Sequence, residues 1–139
     1  MRDGFTNTGL FNSGNTNTGL WNSGAADTGI GGTASHSGNS GFGNSGTGNS
    51  GFFNSSSTGT DVGFFNSGDS GLLVGFFNSG DHDIGLMNSG YYNTGFFNQG
   101  EHSSGVGNSG ADNNSGFGNS GGSNSGGFNT GTGLSGFFR

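Results

Sequence analysis

Three histidines and eight acidic side chains hold most of the chemistry this chain could perform. His82 stands between Asp81 and Asp83, His102 follows Glu101, and His36 lies apart in a Ser/Gly stretch. An imidazole beside a carboxylate suits metal binding or proton transfer. His82 and His102 would align if one turn of a coil held twenty residues. The plainer expectation is that they are polar residues of hydrophilic repeats, so no metal site is assigned. Serine is abundant, but it recurs as Asn-Ser-Gly, a structural position rather than a nucleophile beside a base. Calcium-binding solenoids need an acid in every repeat, and the acids here are scattered. Asn54-Ser55-Ser56 and Asn113-Asn114-Ser115 match the glycosylation pattern, as chance predicts with this much Asn and Ser. No catalytic residue and no cofactor-binding residue is assigned; the chain reads as a non-enzyme that needs no cofactor.

Composition narrows the classes further. The 139 residues include 36 Gly and neither Pro nor Cys, and 7% are charged. Arg2 and Arg139 are the only basic side chains apart from histidine, which excludes a phosphate-binding patch and nucleic acid as a partner. No apolar run approaches the roughly 20 residues that span a bilayer, so no transmembrane segment is expected. Met1 to Phe5 lead into no apolar h-region, so the start does not resemble a signal peptide. Phe, Leu, Ile and Val total 26 residues, too few for an ordinary globular core. The net charge of -6 is nevertheless too small to hold the chain open by self-repulsion. Spacing must decide between a repeat fold and a flexible linker.

Glycine recurs every five residues from Gly4 to Gly29, from Gly41 to Gly51, from Gly75 to Gly110 and from Gly116 to Gly136. Asn stands two residues earlier in 17 Asn-X-Gly triplets; Asp27, Asp61, Asp69 and Asp83 take its place elsewhere. A second period overlies the first. The residue after glycine is apolar at Leu10, Leu20, Ile30, Phe42, Phe52, Phe64, Phe76, Leu86, Phe96 and Val106, and mostly polar or small in the pentads between. The unit is therefore ten residues, with phase breaks near 31–41, 54–63, 69–75 and 111–116.

A glycine at every fifth position, costing about 1 kcal/mol each in a helix, excludes helices. Turns fit better, because Gly supplies positive φ and Asn bonds its own backbone. Asn12, Asn22, Asn66, Asn78, Asn88 and Asn98, with Gly14, Gly24, Gly68, Gly80, Gly90 and Gly100, are expected as corners between very short strands. Strands so short gain backbone partners only by stacking about 4.8 Å apart. A coil could hold ten or twenty residues, and twenty is favoured by analogy with other pentapeptide solenoids. Paired residues such as Phe52-Phe53 should point to opposite faces. The outer members Phe11, Trp21, Phe53, Phe65, Phe77, Met87, Tyr92 and Phe97 would then form an exposed candidate interaction stripe. The competing possibility is that both members of each pair turn inward at a corner.

Blocks such as Gly63-Phe64-Phe65-Asn66-Ser67-Gly68, Gly95-Phe96-Phe97-Asn98 and Gly19-Leu20-Trp21-Asn22-Ser23-Gly24 carry a resemblance. They resemble the Asn-X-Gly pentapeptide repeats of mycobacterial PPE proteins, the major polymorphic tandem repeat subgroup, across nearly the whole chain. The resemblance implies a secreted or cell-surface, cell-wall-associated protein acting at the host interface. The family's helical domain with its Pro-Pro-Glu signature is missing here, so properties tied to that domain do not carry over.

The expected fold is all-β: one β-solenoid over residues 1–139 built from pentapeptide and decapeptide repeats, with disorder as the alternative. The expected role is a structural or interaction module of an exported or surface protein. Its partner would be another copy, another protein or a cell-envelope component. A fibre subunit stacking end to end, or a flexible immunogenic spacer, are the other possibilities.

Overall fold

The computed structural model describes residues 6–33 and 37–139, and within them the chain is an all-β parallel solenoid. It divides into two compact units, Met1–Leu73 and Val74–Arg139. The first contains β1 (Thr8–Leu10), β2 (Ser13–Asn15), β3 (Thr18–Leu20), β4 (Ser23–Ala25), β5 (Thr28–Ile30) and β6 (Ser40–Phe42). It continues with β7 (Ser45–Gly46), β8 (Ser50–Phe52), β9 (Ser55–Ser56), β10 (Val62–Phe64) and β11 (Ser67–Gly68). One side of this unit is a parallel sheet in the order β1-β3-β5-β6-β8-β10; the other pairs β2 with β4, and β7-β9-β11.

The second unit contains β12 (Val74–Phe76), β13 (Ser79–Asp81), β14 (Ile84–Leu86), β15 (Ser89–Tyr91) and β16 (Thr94–Phe96). After these come β17 (Ser104–Val106), β18 (Ser115–Phe117), β19 (Ser125–Gly127) and β20 (Ser135–Phe137). Its long sheet runs β12-β14-β16-β17-β18-β19-β20, and β13 pairs with β15 on the other side. Beyond β15 that side continues through single bonds, such as Ser109 N–H to the Asn119 carbonyl at 2.9 Å.

Register fixes the coil at ten residues, since Thr8 lies over Thr18 and Ile84 over Thr94. The favoured twenty-residue coil is therefore corrected: each coil has two short sides, not four. Longer coils occur where Thr28 pairs with Ser40, Ser50 with Val62, and Ser104 with Ser115. The extra residues leave the strands in phase afterwards. Ser57–Thr60 and Asp69–Leu72 bulge together, with the Asp69 carbonyl accepting from Thr58 N–H and Ser57 Oγ.

The corners are not where Asn-Ser-Gly predicted. Most strands are Ser or Thr, then Gly, then one further residue, with Val or Ile leading β10, β12 and β14, and the bend falls on the residue after that. Bend residues adopt left-handed φ without being glycine, as at Phe11 (+59°), Trp21 (+54°), Phe53 (+54°), Met87 (+54°) and Phe97 (+59°). Such a conformation costs roughly 1–2 kcal/mol in an L-residue. The stack compensates: each bend N–H bonds the coil below, for example Phe53 N–H to the Phe42 carbonyl at 2.8 Å. Of the glycines expected at corners, Gly14, Gly24, Gly68, Gly80 and Gly90 lie within strands, and Gly100 stacks over Gly90 with the bend coming two residues later at His102.

The asparagines expected at corners instead fill the interior. Asn12, Asn22, Asn66, Asn78, Asn88 and Asn98 are all buried, whereas Leu73 is the only buried large apolar residue among those described. Two columns of side chains run up the inside of each unit. Asn88 shows the pattern. Its Oδ1 accepts the Asn98 N–H of the next coil (3.0 Å), and its Nδ2 donates across the coil to the Ile84 (3.0 Å) and Gly95 (2.8 Å) carbonyls. Every polar atom of the amide is satisfied, as burial requires.

Glycine is required by the same arrangement. Gly19 has φ +128°, and a Cβ there would overlap the Gly29 carbonyl oxygen, the acceptor that Asn22 Nδ2 uses. Asp69 is exposed rather than inside, because the inserted residues carry it outward and Leu73 takes the interior slot. Leu73 N–H still bonds Asp61 Oδ1 at 3.3 Å.

The amide bonds, rather than bulk, are what the interior needs. Asn88→Leu keeps the volume but strands two carbonyls and an N–H, so it should lower unfolding free energy by about 3 kcal/mol or more in urea titrations.

Candidate interaction surface

Within a strand, the inward position belongs to glycine and the next inward residue is Asn. The last strand residue and the bend residue therefore both face out. Phe52 and Phe53 are 44% and 46% exposed, and Phe96 and Phe97 are both 49% exposed. Neither arrangement expected from the sequence holds: the pairs are not split between faces, and they do not turn inward together. They form two adjacent outer columns along one edge of each unit.

In the first unit the bend column is Phe11, Trp21, Gly31, Gly43, Phe53 and Phe65, each N–H from Trp21 onward bonding the coil below. Phe11 stacks on Trp21 with centroids 5.9 Å apart and planes at 13°, and Phe53 on Phe65 at 5.2 Å and 14°. The neighbouring column stacks Phe52 on Phe64 at 4.9 Å with planes 2° apart. At Gly43 the bend has no side chain, and Phe53 leans over it to meet Phe42 edge-on at 5.2 Å and 70°.

The second unit continues the same pattern with Phe77, Met87, Phe97, Gly107, Gly118, Phe128 and Phe138 at its bends. Phe128 stacks on Phe138 at 5.2 Å. Phe128 carries no pair signal in the sequence because Gly127 stands before it; ten-residue spacing from Gly118 points to it.

Tyr92 does not belong to this column. It occupies the opposite bend, between His82 at 4.5 Å and His102 at 5.2 Å, all three rings nearly parallel. The ten-residue coil thus sets the two histidines two turns apart, with Tyr92 on the turn between them. His36 lies outside the described residues. Within the second unit, Glu101, His102 and Asp112 converge, each offering a ligand atom within 4.8 Å of the others.

Three acids, Asp27, Asp61 and Asp83, enter the interior columns in place of Asn. Asp27 Oδ1 accepts Asn39 N–H at 2.9 Å and Asp83 Oδ1 accepts Asn93 N–H at 2.8 Å, while the Oδ2 of each is buried without a partner. In Asn93 the corresponding Nδ2 donates to the Ser89 and Gly100 carbonyls. A carboxylate oxygen placed there would face acceptors. Burial raises the Asp27 and Asp83 carboxyls above the ordinary range, against the lowering effect of the N–H bonds they accept. Nearby Asp81 raises Asp83 a little more and His82 lowers it.

A model of the pentapeptide repeat family, eight copies long, matches residues 74–111. The chain matches no curated protein and no solved structure.

A group whose pKa is raised by folding stabilises the fold fully below its ordinary value of 3.8 and loses that contribution as pH rises through the folded value. Melting temperature should therefore fall as pH climbs above about 4. Asp83→Asn, by supplying the missing donor, should raise the neutral-pH melting temperature and flatten that slope.

Proposed function

We propose that this pentapeptide-repeat solenoid is a non-enzymatic structural and interaction module of an exported or cell-surface protein. In this proposal it displays its aromatic edge to a partner. The observation that carries the proposal is the inversion of polarity: amides inside, aromatic rings outside. Single exposed apolar residues need no explanation, but adjoining columns of them mark an interaction site.

Ring faces are largely occupied by the stacked rings of neighbouring coils, so the edges are what a partner meets. Edges repeating at the spacing between coils suit another repeat array or an extended protein surface. The polar Ser/Thr positions beside them supply hydroxyls for a rim. No helix among the described residues is long and apolar enough to cross a membrane. Export, surface placement and contact with host or cell-envelope components rest on the resemblance to the PPE repeat blocks. An absence of enzymatic activity rests on the structural character of the fold.

The role separates from stability. Phe53→Ser with Phe65→Ser, and Met87→Ser with Phe97→Ser, remove rings already half exposed, so each change should cost on the order of 1 kcal/mol. Light scattering over a concentration series should show association of the native chain that all four substitutions together abolish, with the circular dichroism spectrum retained. Unchanged association, or loss of the fold, would refute a recognition role for this edge.

A further inference from the structure

We propose that Glu101, His102 and Asp112 form a surface site for a divalent transition metal, with Zn²⁺ the fitting ion. Two carboxylates and one imidazole suit zinc. Their ligand atoms lie within 4.8 Å of one another on two successive coils. Tetrahedral bonds of about 2.1 Å set ligand atoms about 3.4 Å apart, so small rotations of exposed side chains close the set. The fourth position stays open to water.

Three observations show a local rearrangement that produces this convergence. The regular repeat stacks position 101 under 111, yet here the coil gains one residue. Gly110 lies over Gly100, while Asn113 N–H bonds the Glu101 carbonyl at 3.0 Å; Ala111 is therefore the extra residue, and Asp112 lies over Glu101. One-residue bulges commonly re-aim a side chain at functional sites. The interior accommodates the bulge directly beneath. Ser103 replaces Asn in the column, buried at 1% exposure, and Asn114 Nδ2 bonds the Ala111 carbonyl at 2.8 Å.

His102 is also held in place. Its ring lies 5.2 Å from Tyr92 with planes 8° apart, which fixes the ring and leaves its edge for a ligand. Finally, charge is uncompensated. Arg139, the only Lys or Arg among the described residues, is three coils further along the chain, so a dication would relieve the repulsion between Glu101 and Asp112. Bound there, it would clamp two successive coils together.

Calorimetric titration of the full chain with ZnCl₂ tests this. One equivalent should bind, and zinc should raise the melting temperature. Asp112→Asn and His102→Gln should each weaken binding roughly tenfold or more and remove the thermal shift. His82→Gln, on the same bend column but without a converging second acid, should leave both unchanged. All three positions are on the surface, and unaltered circular dichroism would show that the variants fold. Absence of saturable one-to-one heat, binding that survives both Asp112→Asn and His102→Gln, or binding lost in His82→Gln would overturn the proposal.

Discussion

A buried asparagine amide that is bonded in three directions governs this structure. Its oxygen takes the N–H of the coil above, and its nitrogen ties together two carbonyls on the opposite side of the coil. An ordinary core is held by non-directional apolar burial worth about 25 cal/mol per Å². Here the interior is too thin for that, because two three-residue strands lie face to face with little between them. Directional bonds take over, and they set the geometry: the amide reaches across one coil and up by one coil, so the strands stay in register and residues beyond ten in a coil are pushed out as bulges.

The demand for glycine follows from the same geometry. The carbonyl that receives an Asn Nδ2 belongs to a strand glycine, and a side chain on the glycine below would occupy its place. Thus Gly19 and Asn22 are two parts of one requirement. With Gly and Asn committed to the inside, the last strand residue and the bend residue have only the outside left to them. Phenylalanine is enriched there because stacked bend side chains offset the left-handed backbone and shield one another. An outward aromatic column is in this sense a consequence of the amide interior, which is available for recognition without having been built at the core's expense.

Much of this was legible in the sequence. Five-residue glycine spacing, the ten-residue apolar period and the absence of helix-compatible patterning point to a parallel solenoid. The positions of Phe52-Phe53 and Phe96-Phe97 were likewise readable as places of interest. Direction was not readable. Asn before Ser-Gly fits a local turn as well as an interior ladder, since both satisfy the side-chain amide, and only the neighbouring coil distinguishes them. Strand alternation splits each pair between faces, whereas the left-handed bend after the strand turns both members outward. Tyr92, five residues before Phe97, falls on the opposite bend with His82 and His102. Asp112 carried no signal at all, because its position over Glu101 depends on which residue of the longer coil is extra.

Amide hydrogen exchange on ¹⁵N-labelled chain, read at the Asn side chains, tests the asparagine interior most directly. Slow exchange is predicted for the Nδ2 protons of Asn88, Asn98 and Asn108, matched by slow backbone exchange at Asn98, Asn108 and Asn119, whose N–H groups bond the amide oxygens below. Side-chain amides exchanging as fast as those of a free peptide, with or without backbone protection, would contradict it.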